Sequence, residues 1–137
     1  MDKAVVLQKL DSLRRCLQRV RDKTPSTAEV LATDVDAQDI LVLNLERAVQ
    51  ICVDIGLHII SYLDGPVPES MAETFLFLQK AGYLSEEVAG RMVKAVGFRN
   101  TAVHAYQSID WNIVFRIGTL HLTDFQDFAR QILARLD

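Results

Sequence analysis

Two long apolar seams decide most of what this chain can become. Val6, Leu10, Leu13, Leu17 and Val20 recur in alternating steps of four and three between Lys3 and Lys23, and Leu41, Leu45, Ala48, Cys52, Ile55, Ile59 and Tyr62 repeat the alternation further on. That spacing lines one side of an α-helix and does not fit a strand, whose side chains repeat every second residue. No Gly or Pro interrupts the first seam, and Thr24-Pro25-Ser26 stops it, because the residue before a proline is pushed out of helical geometry. Ser26 or Thr27 then caps a short helical piece through Leu31. With Asp34 or Asp36 as N-cap and Asp64 as its limit, the second helix has about 30 residues and is about 45 Å long. Its additional apolar residues Val42, Val49, Ile51, Val53, Ile60 and Leu63 widen the stripe beyond what one partner helix covers. A second copy of the chain across a two-fold axis is the simplest cover, so a homodimer is expected.

The remaining elements follow from punctuation. Gly65-Pro66-Val67-Pro68 ends the long helix, and Ser70-Met71-Ala72-Glu73 reads as a capping box for a helix to about Ala81, closed by Gly82 in a left-handed conformation. Ser85 caps the next helix, with Glu86 and Glu87 in its first turn and Val88, Met92, Val93 and Val96 facing inward. A turn around Gln107–Asp110 leads to a helix that Asp110 caps, carrying Ile113, Val114, Ile117 and Leu120. Thr123 with Gln126 starts a last helix with Phe125, Phe128, Ile132 and Leu136 inward. No stretch alternates with the period of a half-buried strand. The expected architecture is an all-α, up-and-down helical bundle in one domain over residues 1–137, its two long helices packed antiparallel and its C-terminal helices shorter.

Half of the residues are hydrophobic and 24% are charged, a globular rather than a disordered balance. The net charge of -3 is unevenly spread: Met1–Pro25 holds seven basic residues against three acidic. Such a segment suits an anionic partner, or is simply a solvated helix face, and charge alone does not separate the two. Cys16 and Cys52 fit no CxxC or metal-ligand spacing and are expected as buried thiols, with neither a disulfide framework nor a zinc site. No signal peptide is evident, and the most apolar run, Ala48–Leu63, is broken by Asp54 and His58 and falls short of the roughly 20 residues of a membrane span. A cytoplasmic protein without membrane association is expected, and no cofactor.

The richest polar chemistry lies in GFRNTAVHAY, residues 97–106. Arg99 brings a permanent planar cation, His104 an imidazole that exchanges protons near neutral pH, and Tyr106 a phenol. On a regular helix Arg99 and His104, five apart, point about 140° from one another, whereas Asn100 and His104, four apart, share a face. Convergence of Arg99 and His104 therefore requires a helix end or a distortion, for which Gly97 is the candidate, or matching residues from a second subunit. The blander readings are a surface ion pair for Arg99, a structural histidine at 104 and a helix-end tyrosine at 106. Asp54 and His58, four apart, read as an intrahelical pair or a dimer contact. His121 has no evident partner, and Phe125 and Phe128 belong to the core rather than to a base-stacking platform.

Arg99-Asn100, then His104-Ala105-Tyr106, fits the RNxxxHxY form of the Rx4HxY motif, and the chain resembles the HepT-like family of HEPN-domain ribonuclease toxins. Asn44-Leu45-Glu46-Arg47-Ala48 in the long helix, the Pro68–Gly82 segment and Gly97-Phe98 are similar to that family too. The resemblance implies a HEPN-like fold and a metal-independent endoribonuclease that works as a dimer. Arg99 and His104 of both subunits would form one RNA-cutting cleft, with Asn100 orienting the phosphate or the imidazole. It also implies a nucleotidyltransferase (MNT-domain) antitoxin that transfers AMP from ATP to Tyr106. The alternative is a non-enzymatic helical module that dimerises or holds such a nucleotidyltransferase.

Overall fold

The computed structural model describes residues 1–136. Helix α1 runs Lys3–Lys23, α2 Ala28–Leu31, α3 Val35–Ile60, α4 Met71–Lys80 and α5 Glu86–His104. A 3-10 turn at Tyr106–Ser108 precedes α6, Trp111–Arg116. A π-helical segment at Ile117–His121 joins α6 to α7, Leu122–Ala134. No strand occurs among the described residues.

The caps fall where short polar side chains can reach the free N–H groups of a first turn. Asp2, Thr27, Asp34, Ser70, Ser85 and Asp110 each accept a backbone N–H in the first turn of the helix they precede. Of the alternatives left open by the sequence, Thr27 and Asp34 are the residues used. At α4 the Glu73 carboxylate reaches back to the N–H of Glu69, 2.7 Å away, one residue earlier than the usual capping box. Gly82 has φ +86 and ends α4 in the left-handed region, as its position suggests.

Both long seams are buried. Val6, Leu13 and Val20 of α1 and Leu41, Ala48, Cys52, Ile55 and Ile59 of α3 are essentially inaccessible to solvent, and α1 packs along α3 as the antiparallel pair at the heart of the bundle. Helices α4 to α7 close over the other side of α3. Phe75 of α4 meets Phe128 of α7 edge to face, ring centres 5.8 Å apart, both fully buried. Gly56 permits the close approach of α3 and α4: a Cβ there would lie 2.5 Å from Thr74 Cγ2. Cys16 and Cys52 are free, buried thiols, and burial pushes the Cys52 thiol well above its ordinary range.

Three expectations change. Helix α3 stops at Ile60, because Tyr62 and Leu63 donate to Ile59 and Ile60 in tight i→i−3 bonds that turn the chain off the helical path. Tyr62 consequently leaves the seam and is exposed. No break separates the last two helices either: the chain passes through the π turn into α7, and the Thr123 hydroxyl bonds backward to the carbonyl of Leu120 instead of capping. Finally, Val42, Val49, Val53 and Ile60 are buried inside the subunit and Ile51 is half-buried, whereas Leu63 is exposed beyond the helix end and Leu43 and Leu57 are exposed on α3, so most of the broad face of α3 is covered without a second copy.

The excess positive charge of the N-terminal segment lies on the solvated side of α1. Arg14 and Arg15 both pair with Asp11 there, and these exposed pairs contribute little to stability.

Candidate active site

Helix α5 carries the polar run on its last two turns. Its inner stripe is Val88, Ala89, Met92, Val96 and Ala102. Arg99 stands three residues from both Val96 and Ala102, so its stem is half-buried on the edge of that stripe while its head remains accessible. Asn100 and His104 sit on the exposed side. The helix runs through Gly97 without interruption, and a Cβ at that position would meet nothing within 4 Å. Gly97 therefore introduces no distortion.

The consequence for convergence is direct. Arg99 Nη1 donates to Asn100 Oδ1 at 3.3 Å, and neither Arg99 nor His104 bonds to the other among the described residues. Arg99 has no carboxylate partner among them, so the surface ion-pair reading does not apply. With the distortion gone, about 140° still separates the two side chains around the axis. His104 occupies the final turn, where the exposed carbonyls of a helix end favour positive charge.

The chain turns sharply after His104. Ala105, with φ -146 and ψ 51, donates its N–H back to the carbonyl of Thr101 at 2.8 Å, and the 3-10 turn brings Tyr106 across to α3. The Tyr106 ring packs edge-on against Trp111 at 6.1 Å, and its hydroxyl donates to Asp39 Oδ1 at 3.2 Å. Burial raises the phenol above its ordinary pKa, and the hydrogen bond to Asp39 and the negative charges of Asp39 and Glu46 raise it further. Sequence reasoning left Asp39 unmarked. It stands 67 residues from Tyr106, and only the fold joins them.

The other polar candidates separate. Asp54 accepts from Gln50 at 2.9 Å rather than from His58. The His58 ring meets Tyr62 edge-on at 5.3 Å, and its Nε2 is buried without a hydrogen-bond partner among the described residues. His121 does find a partner, Asp124, at 3.9 Å. Both line a cavity of about 570 Å3 whose floor includes Leu45, Val49 and Phe98. Arg91 reaches Asp124 and Asp127 on its rim. Burial pushes the Asp124 carboxyl up, against the opposing pull of Arg91 and then His121. None of Arg99, Asn100, His104 or Tyr106 lines this cavity. Among the described residues no group of three or more His, Cys, Asp or Glu side chains is placed to hold a metal ion, and no helix is long and apolar enough to cross a membrane.

Comparison with known proteins agrees with this arrangement of helices. The chain is 30% identical over 130 residues to the mRNA nuclease HepT of Shewanella oneidensis, covering 95% of this chain and 97% of that protein. It is 26% identical over 132 residues to the tRNA nuclease HepT of Aphanizomenon flos-aquae, covering 96% and 90%. Among solved structures, the tri-AMPylated HEPN toxin of Shewanella oneidensis in complex with an MNT antitoxin superposes with a TM-score of 0.88 at 30% identity, covering 96% of this chain and 98% of that one. A toxin-antitoxin crystal structure with AMP-PNP gives 0.89 at 29% identity, covering 96% and 99%. Residues 13–132 match the family model described as Ribonuclease HepT-like, and the chain belongs to that family.

Proposed function

We propose that this chain is the endoribonuclease toxin of a toxin-antitoxin pair, that Arg99 and His104 of two subunits line one RNA-cutting cleft, and that a nucleotidyltransferase antitoxin silences it by transferring AMP to Tyr106. The observation that carries this reading is the unbroken helix α5, which presents Arg99, Asn100 and His104 at an accessible end with no partner among the described residues that completes a site. A two-fold pair supplies the missing half. The pair rests on this geometry, since most of the apolar breadth of α3 is already covered within the subunit.

The chemistry follows from the residues. Cleavage begins when the ribose 2′-oxygen attacks the adjacent phosphorus, so a base must take the 2′-hydroxyl proton and an acid must give one to the departing 5′-oxygen. One His104 imidazole serves both: it takes the 2′-hydroxyl proton as the base and, once protonated, gives a proton to the departing oxygen. Arg99 offers a planar fork of donors to the non-bridging phosphate oxygens as negative charge accumulates on them. Asn100, already bonded to Arg99, orients the guanidinium or the phosphate. The products are a 2′,3′-cyclic phosphate and a free 5′-hydroxyl. AMP on Tyr106 adds a negatively charged phosphodiester and the bulk of a nucleoside two residues from His104, where RNA phosphate would otherwise sit. A cytoplasmic location belongs to this reading, and the RNA substrate and ATP-using partner it invokes support it.

The purified chain is expected to cut RNA at the same rate with and without excess EDTA, leaving 2′,3′-cyclic phosphate ends. Absence of cleavage of any RNA, by a chain that still binds its nucleotidyltransferase partner, would contradict the reading and favour a non-enzymatic binding module.

A further inference from the structure

We propose that Asp39 is the general base for modification of Tyr106: it holds the phenolic hydroxyl and removes its proton as the oxygen attacks the α-phosphorus of ATP. The inference rests on Tyr106 being the AMP acceptor. It adds a residue of the toxin itself to the transfer reaction, so that the toxin brings an activated acceptor rather than a passive one.

The geometry begins with α3. Asp39 lies on the exposed side of its first turns, outside the apolar seam and free of the capping work that Asp34 performs. Glu46 occupies the same side two turns on. The 3-10 turn after α5 then lays Tyr106 against this side of α3, and Trp111 limits the swing of the ring. The hydroxyl points at Asp39 Oδ1, 3.2 Å away, within the reach a general base needs. Nothing in packing requires this contact: Tyr106 is 41% exposed, and a phenol so placed is well served by water.

A phenol is a poor nucleophile while its proton remains, and burial together with the neighbouring carboxylates Asp39 and Glu46 raises the pKa of this one. Loss of the proton before attack is therefore disfavoured, and loss during attack, to an acceptor already in place, is the favoured route. The Tyr106 Oη–α-phosphorus bond forms while the bond from that phosphorus to the oxygen bridging to the β-phosphate breaks. Pyrophosphate leaves with the bonding electron pair, and the phenolic proton passes to the Asp39 carboxylate and from there to water. ATP is the only co-reactant, and the nucleotidyltransferase binds it. Once the hydroxyl has become a phosphodiester oxygen it no longer donates to Asp39, and repulsion from Asp39 and Glu46 turns the new anion away from α3.

The test is a time course of AMP incorporation by intact-mass and peptide mass spectrometry, with the partner nucleotidyltransferase, ATP and Mg2+. The parent, Asp39→Asn, Tyr106→Phe and, as a charge control on the same helix, Asp54→Asn are compared at several pH values. Asparagine keeps an oxygen to accept the hydroxyl but cannot take its proton, so Asp39→Asn is expected to slow transfer by about 10²-fold or more near neutral pH. The ratio of parent to Asp39→Asn rate should fall as pH rises, because phenolate formed by solvent replaces the missing base, and taking the ratio cancels the partner's own pH dependence. Asp54→Asn should match the parent. Equal rates for the parent and Asp39→Asn, or a slowing independent of pH, would overturn the base assignment while leaving Tyr106 as acceptor. Absence of AMP on the Tyr106 peptide of the parent, or undiminished incorporation by Tyr106→Phe, would instead overturn the acceptor reading itself.

Discussion

His104→Ala is expected to lower RNA cleavage by about 10² to 10⁴-fold, the usual contribution of a positioned acid or base. The fold should scarcely notice. The His104 side chain is exposed, makes no hydrogen bond among the described residues and lies on the last turn of α5. Its loss removes only a favourable charge at a helix end, worth about 0.3–1 kcal/mol when the ring is protonated. Arg99→Ala should lower cleavage by about 10² to 10³-fold through loss of transition-state charge stabilisation. Lysine at 99 should restore little, because a single ammonium cannot engage two phosphate oxygens as the guanidinium fork does. Cleavage rates and thermal melting of the same preparations separate these effects from misfolding: a variant that melts normally and cuts as fast as the parent removes its residue from the catalytic site.

Phe128→Ala is expected to produce the largest loss of stability, about 3–5 kcal/mol. The ring is fully buried and packs against Phe75, so truncation removes the apolar burial, the edge-to-face contact and the joint between α7 and α4 in one step. Domains of this size hold only about 5–15 kcal/mol in total, so the midpoint of thermal unfolding should fall by about 10 °C or more. Thermal or urea unfolding followed by circular dichroism measures the loss. A change under about 1 kcal/mol would mean that the two rings do not tie α4 to α7 as described.

The apolar repeat made the helical frame readable. Val6 to Val20 and Leu41 to Ile59 are buried as their alternation implies, and the helix starts at Asp34, Ser70, Ser85 and Asp110 carry their own chemistry in adjacent residues. The endings were harder to read. Tyr62 continues the seam by spacing but leaves it in space, since tight i→i−3 bonding at the end of α3 competes with one more turn of helix. Thr123 and Gln126 have the pattern of a capping box, yet the π segment lets backbone bonding continue, and a pattern of side chains does not reveal whether the N–H groups it would serve are free.

The candidate site divides in the same way. Arg99, Asn100, His104 and Tyr106 stand within eight consecutive residues and were legible as a motif. Gly97 raised the expectation of a distorted helix because glycine permits one, but permission is not a cause, and the helix passes through it unchanged. Asp39 was invisible because its relation to Tyr106 exists only after α3 and the turn following α5 meet. No local pattern distinguishes it from any other exposed carboxylate on α3.

A composite cleft between two subunits is best tested by mixing two inactive variants. Arg99→Ala and His104→Ala chains, coexpressed with different tags and purified as the doubly tagged pair, retain between them one arginine and one histidine in the shared cleft. That mixed pair is expected to cut RNA well above either variant alone. A mixed pair of confirmed composition that cuts no faster than the separate variants, or a parent chain that cuts RNA fully as a monomer, would contradict the shared cleft.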